Sequence, residues 1–160
     1  MSLQYRDAVV TEQKKLRVLF LCTGNSCRSQ MAEGWARHLK GNVIDAHSAG
    51  VRPHYIDKRA VKVMAEAGVD ISHHRSKHVD EYLDDPKEAP FDYVVTVCSG
   101  AHAACPVFPG DAKVVHVPFD DPPALAAWGT PEEEILEHYR RVRDEIKAFV
   151  ESLPEALTEG

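Results

Sequence analysis

The segment LCTGNSCRSQMAEG, residues 21–34, ends one apolar run and starts one helical pattern. Upstream, LRVLFLC (16–22) is a short continuous apolar run, the signature of a strand buried on both faces. Downstream, Met31, Trp35 and Leu39 recur at every fourth position with Ala32 and Ala36 alongside, one helix face closed by Gly41. The turn between them starts with a thiol, Cys22, and ends with a guanidinium, Arg28. Gly24 is expected to take a positive φ and let successive backbone N–H groups point inward as an anion nest. The helix beginning near Ser29 adds its N-terminal partial positive charge. Arg28 can grip a tetrahedral oxyanion through two parallel hydrogen bonds, which an ammonium cannot do. Thr23, Gly24, Asn25, Ser26, Cys27 and Arg28 thus make an oxyanion cradle around Cys22. Its field is expected to lower the Cys22 thiol from ~8.5 toward the ~3.5–7.5 range of activated cysteines, with Ser29 donating its hydroxyl proton to the sulfur. The pattern G-x-x-x-x-G-K-[ST] of nucleotide-binding loops is missing.

Working outward, NVIDAHSAG (42–50), FDYVVTVC (91–98) and KVVHVPF (113–119) read as three further strands. Asp57 is placed to cap a helix running to Gly68, with Ile56 and Val61 as a hydrophobic staple. Residues 72–90 read as an irregular surface segment with a short helix. In TPEEE, Thr130 is expected as N-cap, Pro131 at the first helical position and Glu133 as the capping-box partner. Ile135, Tyr139, Val142, Ile146 and Phe149 mark the buried stripe of that last helix, which Pro154 should stop. Strands alternating with helices predict an α/β fold, a four-stranded parallel sheet flanked by helices on both faces. Residues 1–15 are expected to be a flexible extension, 16–153 a single catalytic domain, and 154–160 a C-terminal tail. Such sheets bind ligands beyond the carboxyl ends of their strands. Cys22 and Cys98 both stand where a strand ends and can share one crevice.

The chain has 160 residues and a net charge of −6, without long basic runs, which argues against a general nucleic-acid binder. It has no apolar stretch of ~18 residues to span a membrane and no apolar signal core, so a cytoplasmic location is expected. In a reducing compartment the four cysteines point to catalysis or metal binding rather than to a disulfide framework. Their spacings, four and six intervening residues, depart from the short pairs of zinc sites, and no metal or cofactor is expected. His73, His74 and His78 sit among Arg75 and Lys77 and read as a solvated basic segment able to steer an anion. The alanines of SGAHAA (99–104) favour helix between Cys98 and Cys105.

CTGNSCRSQMAEGWARH (22–38) closely resembles the active-site loop of thioredoxin-coupled arsenate reductases built on the low-molecular-weight tyrosine phosphatase fold. The resemblance runs from about Leu16 to Phe149, with extra residues near 84–90. Its other anchors are SAG (48–50), VTVCSGAHAACP (95–106) and FDDP (119–122). It implies an arsenate adduct on Cys22, attack by Cys98 that releases arsenite, and transfer of the disulfide to Cys98–Cys105 for reduction by thioredoxin. It makes Asp121 the general acid and Asp120 its neighbour, and phosphate and sulfate competing oxyanions. Cys27 has no part in that relay and reads as a packing residue. Pro123, Ala124 and Leu125 follow where the related phosphatases place aromatic residues, which favours a small inorganic substrate.

Two rivals remain open at this stage. A phosphotyrosine or phosphoester phosphatase would use Cys22, Arg28 and Asp121 but needs no relay thiols. A thiol-based arsenite-binding or redox-sensing module has no evident use for Arg28 and Asp121. Some of these reductases also hold potassium behind the loop with an Asn, a Glu, a Ser and an Asp. Asn25, Glu33 and Ser48 match the first three, but Lys77 falls where the Asp would be, and its ammonium can supply the missing charge.

Overall fold

Strand β1 (Leu16–Cys22) lies at the centre of the molecule, with Val18 through Leu21 fully buried on both sides of the pleat. A computed structural model describes residues 14–85 and 90–158. The expected extension over 1–15 therefore lies outside the described residues, apart from Lys14 and Lys15. So does the 86–89 part of the extra segment near 84–90. β2 (Ile44–Gly50) pairs with one edge of β1 and β3 (Tyr93–Thr96) with the other; β4 (Lys113–His116) pairs with β3. All pairings are parallel, in the order β2-β1-β3-β4. The expected four-stranded parallel sheet is thus present, with later starts for β2 and β3 and earlier ends for β3 and β4 than the apolar runs suggested.

Helix α1 (Arg28–Lys40) returns the chain from β1 to β2 and buries its first half, Ser29 through Ala36. Its last turn carries Arg37, His38 and Lys40, cations that suit the negative end of a helix. α2 (Lys58–Glu66) is capped by Asp57, whose Oδ1 accepts from the amides of Arg59 (2.8 Å) and Ala60 (3.4 Å). It ends two residues before Gly68. α3 (Asp80–Leu83) and α4 (Ser99–Ala103) are single turns, and Pro122–Leu125 forms a 3-10 turn.

The long helix α5 (Glu132–Glu151) corrects the expected capping. Pro131 has φ −59° and ψ 144°, extended rather than helical, so the helix starts one residue later. The Thr130 amide bonds back to Ala127 O instead, closing a turn. Three consecutive glutamates in the first turn meet the positive end of the helix without a side-chain cap. Glu132 also grips Arg59 of α2 with two bonds of 2.8 and 2.9 Å. The buried stripe is Ile135, Leu136, Tyr139, Val142, Ile146 and Val150. Phe149 sits at its edge, partly buried, against Phe119 in the loop that leads to Asp121. Beyond Pro154, α6 (Glu155–Thr158) buries Leu157. Among the described residues no helix is long and apolar enough to cross a membrane.

Candidate active site

The chain leaves β1 toward β2 and leaves β3 toward β4, so a crevice opens beyond the ends of the two central strands. Residues 23–27 turn there between β1 and α1. The left-handed residue of this turn is Asn25, at φ +49°, and not Gly24 as expected. Asparagine tolerates that region because its short polar side chain can bond locally. Glycine at 24 answers a different need: a Cβ there would lie 2.7 Å from the His54 ring. A cleft of about 220 Å³ has Cys22 at its floor and Thr23, Gly24, Ser26, Cys27 and Arg28 in its walls. His54, Asp121 and Pro123 complete it. Asn25 and Ser29, in the expected site list, lie behind the cleft rather than in its lining.

The Cys22 sulfur accepts the Asn25 amide at 3.2 Å and lies 2.9 Å from Ser29 Oγ. Burial pushes the thiol above its ordinary value, while Ser29 and then Arg28 pull it back. The expected lowering is therefore not seen, because burial outweighs the pull of Ser29 and Arg28. Arg28 donates to Phe119 O at 3.0 Å and pairs with Asp121 at 3.5 Å, so its charge is shared with the acid loop. Cys27 is buried as well, and burial, reinforced by Asp57, holds its thiol well above the usual range.

Asp121 and Asp120 part company. Asp121 faces the cleft and Arg28, while Asp120 pairs outward with Arg141 at 3.1 Å. All four cysteines are free thiols. Cys98 is the N-cap of α4; its sulfur accepts the Ala101 amide at 3.3 Å and lies 3.3 Å from Thr23 Oγ1. It is thus brought against the residue that follows Cys22. Cys105 stands just beyond the other end of α4, half-buried, with its thiol pushed up by burial.

Behind the loop, Asn25 Nδ2 donates to Ser29 Oγ (2.8 Å) and Ser48 Oγ (3.0 Å), and Ser48 donates to Glu33 Oε1 (2.5 Å). Asn25 Oδ1 accepts the Lys77 amide (3.0 Å) and Gln30 Nε2 (3.1 Å). The Glu33 side chain, 3% exposed, faces Arg37 at 2.9 Å, His74 at 3.8 Å and Lys77 Nζ at 3.9 Å. The solvated basic segment is corrected here: His74 is 5% exposed and bonds Gln30 Oε1 at 2.9 Å, and Lys77 points inward. The oxygens of Asn25 and Ser48 are engaged, and an ammonium stands beside the Glu33 carboxylate. This donor set does not fit a potassium ion. Among the described residues no three His, Cys, Asp or Glu side chains converge as metal ligands.

Sequence reasoning missed Gln30 and His54. Gln30 is fully buried and bonds the Asn25 carbonyl as well as its side chain. Its signal was a polar residue next to Met31 on a helix whose whole first half is buried. His54 is fixed by its amide bond to Gly24 O (2.8 Å), a loop-to-loop contact without a local pattern.

Residues 17–160 match the model of the family described as low molecular weight phosphotyrosine protein phosphatase. An arsenate reductase of Halalkalibacterium halodurans is 45% identical over 138 residues, covering 86% of this chain and 94% of that protein. Among solved structures, a low molecular weight protein tyrosine phosphatase from T. tengcongensis is 30% identical with a TM-score of 0.65, covering 89% of this chain and 99% of its own. A thioredoxin-dependent arsenate reductase of Corynebacterium glutamicum is 26% identical with a TM-score of 0.59, covering 90% of this chain and 66% of its own.

Proposed function

The chain belongs to the low molecular weight phosphotyrosine protein phosphatase family, and from that premise we propose that it is an arsenate reductase regenerated by thioredoxin in the reducing cytoplasm. The observation that carries the reading is the placement of Cys98 against Thr23, beside the cleft floor, with Cys105 just beyond the far end of α4. A phosphatase has no use for two further thiols so placed.

Arsenate enters the cleft against the amides of residues 23–28 and the Arg28 guanidinium, as phosphate or sulfate would in competition. The Cys22 sulfur attacks arsenic, a protonated Asp121 donates to the departing oxygen, and water leaves an arseno-thioester. The Ser29 hydroxyl and the Asn25 amide both donate to the sulfur and favour its charged form. Cys98 then attacks Cys22. The S–S bond forms, the electron pair of the As–S bond stays on arsenic, and trivalent arsenite departs. Cys105 attacks Cys98, Cys22 leaves as a thiolate, and the Cys98–Cys105 disulfide passes to thioredoxin. Asn25, Glu33 and Ser48 hold the loop from behind, with the Lys77 ammonium as a built-in cation.

Arsenite release measured with and without thioredoxin, its reductase and NADPH tests this. Turnover should require the full system and should stop in Cys98→Ser and Cys105→Ser while phosphoester hydrolysis persists. Multiple turnovers by either variant would overturn the relay. Phosphotyrosine hydrolysis without arsenate reduction would instead support the phosphatase reading, which Arg28 and Asp121 in the cleft also accommodate.

A further inference from the structure

His102 lies in α4, between the two thiols of the relay, and its ring is stacked on that of His116. The centroids are 4.2 Å apart and the planes 24° from parallel. Both Nδ1 atoms meet one hydroxyl: Thr96 Oγ1 is 3.1 Å from His102 and 2.9 Å from His116. Thr96 ends β3 and is fully buried; His116 ends β4 and is its partner in the ladder. A hydroxyl has one proton, so it donates to at most one of the two rings and accepts an Nδ1–H from at least one. The arsenate chemistry proposed above makes no use of this cluster.

α4 spans five residues, too short to be stable by its own hydrogen bonds. It is held at two points. At its start, the Cys98 sulfur accepts the Ala101 amide, and Gly100 packs so close to Thr23 Oγ1 that a Cβ would come within 2.9 Å. Near its end, the His102 ring, exposed on its outer side like His116, stacks over the strand ends and meets Thr96 Oγ1. A disulfide needs Cα atoms roughly 4.4–6.8 Å apart. Cys98 precedes the first residue of α4 and Cys105 follows its last by two, and seven residues at the helical rise of ~1.5 Å would span about 10 Å. Closing that bond would require α4 to unwind and His102 to leave its stack.

We propose that His102 and His116, joined through Thr96, are positioning residues for the relay: they latch α4 in its dithiol form and set the equilibrium between the Cys98/Cys105 dithiol and its disulfide. This rests on the relay reading above. In the step concerned, the Cys105 thiolate attacks Cys98 Sγ. The Cys98–Cys105 bond forms as Cys22–Cys98 breaks, Cys22 takes the electron pair, and the Cys105 proton goes to water. The latch opposes this step and favours the return to helix once a dithiol reductant has removed the disulfide.

The test equilibrates the full-length protein in buffers of reduced and oxidised glutathione, quenches with an alkylating reagent, and reads the Cys98–Cys105 disulfide by peptide mass. Loss of one stacked pair with its hydrogen bond should raise the disulfide equilibrium constant about three- to tenfold in His102→Ala. Tenfold corresponds to about 30 mV for this two-electron couple. His116→Ala should match it, and His102→Phe, which keeps a stacked ring, should shift less. Alanine is a better helix former than histidine, so helix propensity alone would move the equilibrium the other way. An unchanged constant in His102→Ala, or a shift there that His116→Ala lacks, overturns the latch. If the wild-type protein forms no Cys98–Cys105 disulfide at any ratio, the relay reading falls and the latch with it.

Discussion

Ser29 Oγ lies 2.9 Å from Cys22 Sγ, and the direction of that bond is fixed from behind the loop. Glu33 is a carboxylate that accepts from Ser48, and both hydrogens of Asn25 Nδ2 are directed at hydroxyl oxygens, those of Ser48 and Ser29. Ser29 thus accepts from Asn25 and has its own proton free for the sulfur. Ser29→Ala removes the strongest influence pulling the thiol down, so the inflection of Cys22 reactivity should move to still higher pH. Near pH 7, alkylation of Cys22 and arsenate reduction should slow about ten- to hundredfold, the scale of a hydrogen bond to a charged group, and the gap should close in alkali. Alkylation rates followed against pH check this; equal rates at neutral pH would contradict it.

Asp121→Asn should slow the chemical step by about 10²–10⁴-fold, the usual span for a lost general acid, with little change in oxyanion affinity. Asp121 faces the cleft, whereas Asp120 is turned to Arg141. Asp120→Asn should therefore change the single-turnover rate by less than about threefold, because an exposed ion pair contributes little. A larger loss from the Asp120 change would exchange the two roles.

The sheet and the site it positions were legible because their signals are local. LRVLFLC buries on both faces, and Cys22 through Arg28 are consecutive in sequence. The misreadings share one cause, the influence of distant residues. Gly24 lies under the ring of His54, thirty positions away, and the positive φ falls on Asn25 instead. His74 looked solvated within its polar neighbourhood, yet Gln30 and Glu33 of α1 draw it inward. Arg28 suggested an activated thiol, but the surrounding fold buries Cys22, and that burial pushes the thiol up.

Asp57 joins two elements with one carboxylate: Oδ1 caps α2 and Oδ2 accepts from Tyr139 of α5 at 2.6 Å. Burial, and then Asp57, hold the Tyr139 hydroxyl far above its usual range, so it stays a donor. Asp57→Ala removes the cap and leaves a buried hydroxyl without its partner, at a cost of about 2–4 kcal/mol. Tyr139→Phe should cost about 1 kcal/mol. Urea unfolding of both single variants and the double variant checks this; strictly additive losses would deny the coupling.

His74 has its ionisation lowered, chiefly by burial and further by Arg37, His73 and Lys77, with Glu33 opposing. The unfolded chain then binds more protons than the folded one below the ordinary histidine value of about 6.5. Stability should therefore fall as pH drops through that value, and the loss should level off once the folded His74 is also protonated. His74→Asn keeps a donor toward Gln30 without a titrating ring. Its unfolding midpoint should fall less than that of the wild type between pH 7.5 and pH 5. Parallel pH profiles for the two proteins would remove His74 from this account.

Lys77 Nζ stands 3.9 Å from the Glu33 carboxylate with only 15% of its side chain exposed, and its backbone amide holds Asn25 Oδ1. Burial lowers the ammonium ionisation while Glu33 opposes that shift. With this cation built in, exchanging sodium for potassium at equal ionic strength should leave melting temperature and turnover unchanged. Lys77→Met leaves Glu33 with Arg37 and His74 and should cost stability through the lost buried partner. Lys77→Asp sets a second carboxylate beside Glu33, two like charges that only a cation or a proton can reconcile. That variant should be the less stable of the two in sodium and should regain melting temperature and activity in potassium, whose larger, weakly hydrated ion suits a pocket sized for an ammonium. A potassium-specific gain in the wild-type protein would show that Lys77 does not fill the cation's place.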